Sequence, residues 1–465
     1  MAKICNIIFF IIVIFNFSFQ YIVLNFKTNI DLNQLNEENY MNTSLAQQLN
    51  VDFNIGDSHQ IIPMTIKTQQ FPTYIVSSRV TDKIKVKYNE TKSCKSFHNI
   101  KDDLIKELYI YDFKEGYLVN DSITFNSSLI YNNFTYMLAT KVSILAKNIS
   151  GEIGLSKERE EKYPYNFPEK TDFLQQLKDN KLIQNKIFGI VYDTEYEGRL
   201  FLGAYLHQTD HLYSEEDLQS NYIDNHIPHD FNNKWLINFN VKCLEYPDNK
   251  ELYIEENTFG LVMYEIGLIV GSETFRQNFL IDYFNKNKCN ESMIHSKPFS
   301  FYQYSCDNEQ QFSGFPDIIL TLPGKYIFNF TKKELFKKIG KKYIFQIVFE
   351  VTESDRDYWR LGQTFFRKYN SFFTLEEGSS TFSYYQLKKN IRNEETTWIL
   401  SAQIILIIAL ILILLLFISI LVYFCFYCEK KKRKRIAQEL VESEDYYYTP
   451  ENNEKENKKS LIVND

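Results

Sequence analysis

The chain has 465 residues, with 52 Lys and Arg against 59 Asp and Glu. The net charge of -7 gives no reason to expect nucleic acid as a partner. Hydrophobic residues make up 44% and aromatics 16%, chiefly Tyr and Phe, which allows a large core and leans toward strands; the length accommodates one large two-lobed domain or two ordinary ones.

Lys3 is followed by an apolar run over residues 4–16, too short to span a membrane, as in a secretory signal; the signal is placed at 1–20. No small-residue cleavage site is visible, so an uncleaved anchor is the alternative. Residues 21–47 form a polar, acidic N-terminal segment carrying Asp31, Glu37 and Glu38. From about 50 to 385, short alternating apolar runs are broken by Asn, Asp, Gly and Lys clusters, which predicts mostly β structure. Gln60-Ile-Ile-Pro-Met-Thr-Ile, Lys186-Ile-Phe-Gly-Ile-Val-Tyr and Tyr343-Ile-Phe-Gln-Ile-Val-Phe-Glu-Val are examples. Helices are predicted at Asp172-Phe-Leu-Gln-Gln-Leu-Lys and from Ser272 to Asn285. A charged stalk occupies 386–397. An apolar run over 398–427 is long enough for a transmembrane helix. Lys430-Lys-Lys-Arg-Lys-Arg435 follows it, which puts that end in the cytosol by the positive-inside rule; the polar tail, 428–465, is then cytoplasmic. The expected protein is a single-pass type I membrane protein, with its N-terminal bulk extracellular or lumenal.

Eight Asn-x-Ser/Thr sequons, at Asn42, Asn89, Asn120, Asn126, Asn133, Asn148, Asn290 and Asn329, lie between the two apolar runs and predict a glycoprotein. Cys94, Cys243, Cys289 and Cys306 lie outside the membrane; an even number there predicts disulfides, with three connectivities open. Histidines and cysteines form no metal-ligating set in this region. His207 and His211, four apart, are read as loop residues. No nucleophile elbow or Gly-rich phosphate loop is present, so neither metal nor cofactor is expected.

Trp359-Arg-Leu-Gly-Gln-Thr-Phe-Phe-Arg-Lys-Tyr-Asn-Ser-Phe-Phe373 resembles the signature near the end of pepsin-like aspartic peptidases. Further matches run backward in the family's order: Phe315-Pro-Asp-Ile-Ile-Leu-Thr-Leu, Asn233-Lys-Trp-Leu-Ile, Gly198-Arg-Leu-Phe-Leu-Gly-Ala, Asp172-Phe-Leu-Gln-Gln-Leu and Ser150-Gly-Glu-Ile-Gly-Leu155. The resemblance implies an all-β, bilobal acid-protease fold with a few short helices, its N-terminal lobe at 48–210 and its C-terminal lobe at 211–385. It also implies a Cys289–Cys306 disulfide.

The resemblance further fixes where two catalytic aspartates belong. The first stands eleven residues beyond the Gly of an Ile-Gly strand; from Gly56 that position is Lys67, and the expected Asp-Thr-Gly-Ser reads Lys67-Thr-Gln-Gln70. In the second lobe, Leu268-Ile-Val-Gly271 sets a register in which Met263-Tyr-Glu265 replaces Asp-Thr-Gly. The aspartic mechanism needs two carboxylates sharing one proton; Met263 does not titrate, and Lys67 cannot share a proton symmetrically with a carboxylate. Glu265 is the possible substitute, and a Glu265–Lys67 ion pair across the former active site is the expected arrangement if the two are near. Thr68, Tyr111 and Tyr264 are the cleft candidates, Tyr111 at the head of a shortened flap hairpin that continues through Asp121-Ser-Ile123. Family zymogens carry a basic prosegment over their acidic dyad, whereas residues 21–50 are acidic and nearly lysine-free.

The expected function is a membrane glycoprotein whose peptidase scaffold has become a non-catalytic peptide- or protein-binding or structural module. The alternative is a divergent but active aspartic-type endopeptidase of the secretory pathway or cell surface. A third reading is an adhesion protein working through its outer surface.

Overall fold

The computed structural model describes residues 21–30, 35–69, 73–80, 84, 86–89, 95–100, 113–125, 129–142, 149–156, 172–222, 234–245, 250–296, 299–323, 327–351, 357–376, 379–386, 419–420, 422–424 and 426–437. It divides into two units, Met1–Leu387 and Lys388–Asp465. The first holds all the strands. In the second, the described residues from 419 to 437 are helical and run through the basic cluster. Residues 398–418 of the predicted span lie outside the described residues, and among the described residues no helix is long and apolar enough to cross a membrane.

Unit one is mainly β and two-lobed, built on a thirteen-stranded and an eleven-stranded sheet. Period-two patterning explains the lobe strands. In Leu49–Ile55 the residues Leu49, Val51, Phe53 and Ile55 are buried while Asp52 between them is exposed. The layer joining the lobes is different. Lys186–Tyr192 and Tyr369–Glu376 are buried along nearly their whole length, because both faces of these strands are covered. They pair antiparallel, Phe373 opposite Phe188, and the two rings stack with centroids 4.9 Å apart. Trp235 meets the Phe373 ring edge-on, also at 4.9 Å. The C-terminal strands thus complete the sheet of the N-terminal lobe.

The acidic N-terminal segment is part of this framework. Ile22–Thr28 is a strand pairing with Glu197–Leu202 on one side and Leu49–Ile55 on the other, with Ile22, Leu24 and Phe26 buried. Tyr40–Leu45 is a short helix whose Tyr40, Met41 and Leu45 pack on Leu268, Val270, Ile344 and Val348 of the C-terminal lobe. The segment therefore straps the two lobes together.

The Asp172 helix forms at Phe173–Asp179, its Asp172 carboxylate capping the Gln175 amide at 3.0 Å. The helix predicted from Ser272 is capped by Ser272 and begins at Glu273–Phe275, widens into a π turn at Arg276–Leu280 and ends at Ile281–Lys286. Cys289 and Cys306 form the expected disulfide. Cys243, whose pairing the sequence left open, is a buried free thiol whose pKa burial pushes up; Cys94 lies outside the described residues.

Candidate functional site

Two loops, one from each lobe, meet at a polar seam. The first follows the strand Gln60–Lys67, which pairs in parallel with Gly151–Gly154, Thr65 opposite Glu152 and Lys67 opposite Gly154. The second follows Lys250–Val262 and runs through Met263-Tyr-Glu-Ile-Gly267 into Ile269–Gly271. The Thr68 hydroxyl donates to the Val262 carbonyl at 3.0 Å, and Gln69 Nε2 donates to the same oxygen. In the other direction, Glu265 Oε1 accepts from the Thr68 amide at 3.0 Å and the Gln69 amide at 3.2 Å. These are the two loops that the sequence register aligned.

The signature over Trp359–Leu361 and the residues after it hold the second loop. A Cβ on Gly362 would lie 1.9 Å from the Leu268 carbonyl oxygen, so only glycine allows that approach. The Gln363 amide donates to Ile266 O at 2.8 Å, and the Met263 amide to Leu361 O at 2.9 Å.

The charges at the seam differ from expectation in one respect. Lys67 Nζ stands 3.4 Å from Glu152 Oε1, a fully buried carboxylate of its own lobe. Parallel pairing explains this: alternate residues share a face, so Glu152, opposite Thr65, lies on the side to which Lys67 points. Lys67 also acts on Glu265 electrostatically, favouring its ionised form. The Glu265 pKa nevertheless lies above the ordinary carboxylate value: desolvation dominates over Lys67 and the bonds from Thr68 and Gln69. Glu265 is therefore a carboxylate committed to two amides, with Lys67 at its side and Glu152 beyond.

Thr68 and Tyr264, expected to line a cleft, are both fully buried. Thr68 is drawn into the loop-to-loop bond. The Tyr264 ring stacks on Phe366 at 4.3 Å, and burial raises its pKa far above the usual phenol value. Lys67, Gln69, Met263 and Glu265 retain partial exposure. Tyr111 lies outside the described residues; Lys95–Ile100 pairs antiparallel with Phe113–Phe125. Asp121, laid over the flap in the sequence register, is instead buried, with Tyr88 donating to its carboxylate.

Of the sequons, Asn42, Asn89, Asn133 and Asn290 are exposed, and Asn120 and Asn329 are half-buried; Asn126 and Asn148 lie outside the described residues. No group of His, Cys, Asp and Glu among the described residues could hold a metal ion. Glu152 is the site residue that the sequence reading did not single out. Its signal was a charge inside Gly-Glu-Ile-Gly-Leu, where an apolar strand residue would otherwise stand.

A family model described as eukaryotic aspartyl protease matches residues 44–384. No curated protein sequence matches the chain significantly. Among solved structures, the aspartic proteinase from Irpex lacteus superposes with a TM-score of 0.54, over 80% of this chain and 99% of that one, at 12% identity. At that identity the likeness speaks for the fold alone.

Proposed function

Because the chain belongs to the eukaryotic aspartyl protease family, we propose that it is a non-catalytic member: a single-pass membrane glycoprotein whose pepsin-like ectodomain binds peptide or protein segments without cleaving them. One observation carries this reading. Where the two loops meet, the strand ends present Lys67 and Met263, and the neighbouring carboxylate, Glu265, accepts two backbone amides, with the Lys67 ammonium acting on it. Activation of water in this family requires one ionised and one protonated carboxylate in contact. An ammonium group beside Glu265 holds the local charge in a different pattern, one suited to fixing the loops.

The compartment follows from the sequence: an apolar N-terminal run, sequons confined to the region before residue 398, and six cations directly after the second apolar run. The test incubates the full-length protein in detergent with a peptide library from about pH 3 to pH 7, spanning the carboxylate range and above. Peptide capture without cleavage is the expected result. Pepstatin-sensitive cleavage, lost in Lys67→Ala or Glu265→Ala, would replace this reading with that of an active endopeptidase.

A further inference from the structure

We propose that Lys430, Lys431, Lys432, Arg433, Lys434 and Arg435 gather a shell of anionic phospholipid headgroups around the helix that carries them, by charge rather than by headgroup identity. The inference rests on the reading of the chain as membrane-spanning and adds a lipid partner to it.

The helix changes character along its axis, not around it. Ahead of Glu429, Ile420, Val422, Tyr423, Phe424, Phe426 and Tyr427 are exposed on most of its sides. After Glu429 come six cations in unbroken succession, all exposed. A helix lying in the plane of a membrane segregates apolar and charged residues onto opposite sides. Here they are segregated end to end, the pattern of a helix standing across the interface. Tyr423 and Tyr427 then fall near the level where aromatic side chains settle.

At about 100° per residue, six consecutive positions leave no side of the helix without a cation, and at about 1.5 Å of rise they extend about 9 Å along it. That covers one headgroup layer, about 5–8 Å deep. The positive charge is largely uncompensated. Glu429 pairs with Arg433 at 3.1 Å, and the other five cations meet no carboxylate among the described residues. Glu439, Glu442, Glu444 and Asp445 come later, farther along the chain from the apolar residues than any of the cations. Only Glu429 separates the cations from the apolar residues, which sets them at the bilayer surface, where acidic lipids attract polybasic segments. Four of the six are lysines, compact point charges without the planar fork that would select one headgroup.

The test reconstitutes the full-length protein into phosphatidylcholine vesicles holding a minor fraction of phosphatidylserine, equal in both leaflets so that orientation does not matter. The protein is then extracted in mild detergent, and the phospholipids that stay on it are counted by mass spectrometry. The retained shell should be enriched about threefold in phosphatidylserine at about 0.1 M salt and should match the vesicle at about 1 M, where the screening length is about 3 Å. Lys430→Gln, Lys432→Gln and Lys434→Gln together should remove about half of the enrichment. Phosphatidylglycerol, of the same charge, should be enriched as strongly as phosphatidylserine. A shell of vesicle composition at low salt, an enrichment untouched by high salt or by the triple variant, or a preference between the two acidic lipids would overturn the proposal. Alkaline extraction separates its failure from that of the reading beneath it. A chain washed off the vesicles by alkali refutes both, whereas a chain that stays without enrichment refutes the lipid shell alone.

Discussion

The seam between the two loops and the strand layer behind it join the same lobes by opposite means. At the seam, polar groups do the joining: Thr68 to Val262 and Glu265 to the Thr68 and Gln69 amides, with Lys67 held to Glu152 within the N-terminal lobe. In the layer behind, Phe188, Trp235 and Phe373 interlock, all three fully buried. The comparison shows how the fold accommodates Lys67 and Met263 at the two strand ends. The architecture is carried by buried aromatic surface, while the seam contributes a few replaceable hydrogen bonds. Its residues could diverge as long as each buried charge and amide kept a partner.

The contrast predicts an order of effects. Phe373→Ala should be the most damaging, at about 3–5 kcal/mol, because it opens a cavity between Phe188 and Trp235; denaturant unfolding of the full-length protein would measure it. A loss below that of the seam variants would place the main joint elsewhere. Lys67→Met should cost about 3 kcal/mol, since it strips the cation from the fully buried Glu152. A Lys67→Met, Glu152→Gln double variant should recover much of that loss, and equal destabilisation by the single and double variants would show that the pair is not what matters.

Glu265→Gln should have the smallest effect, about 1 kcal/mol or less near neutral pH, because the amide oxygen can still accept from Thr68 and Gln69. Its signature is in the pH dependence. The Glu265 pKa is raised in the folded chain, so over the interval between its ordinary and its raised value the folded state binds more protons than the unfolded state. Its contribution to stability is complete below the ordinary carboxylate value and is lost as pH rises through the folded value. Glu255, also raised chiefly by burial, acts in the same direction, whereas Glu195 and Glu334, lowered by Lys337 and Lys368 respectively despite burial, lose their contribution on acidification. Unfolding curves from about pH 7 to pH 4.5 should therefore show a smaller gain, or a steeper fall, on acidification in Glu265→Gln than in the wild type. Parallel profiles would mean that Glu265 does not titrate in that window.

Much of this was legible in the chain. The Trp359 signature was readable because its requirements are local and steric, as the Gly362 approach to Leu268 shows, and the loops themselves were placed by counting from Gly56 and from Leu268-Ile-Val-Gly271. Asp172 announced a helix start because a capping carboxylate is a sequence-local device. The Glu152 partnership was harder to foresee, since it depends on parallel register between strands far apart in sequence. Likewise, the strand at Ile22–Thr28 does alternate, but it abuts an apolar run that conceals the pattern.

The placement of the C-terminal strands also constrains how the molecule is made. Lys186–Tyr192 gains one neighbour early, from Glu197–Leu202, but its other edge stays bare until residues 371–375 have been synthesised. For the whole synthesis of the second lobe, an apolar strand exposes a row of unpaired backbone groups, a template for pairing with other chains. The nascent protein thus carries this bare edge until its last strands are made, and a chain ending just before Tyr369 should be far less soluble than one ending at residue 386.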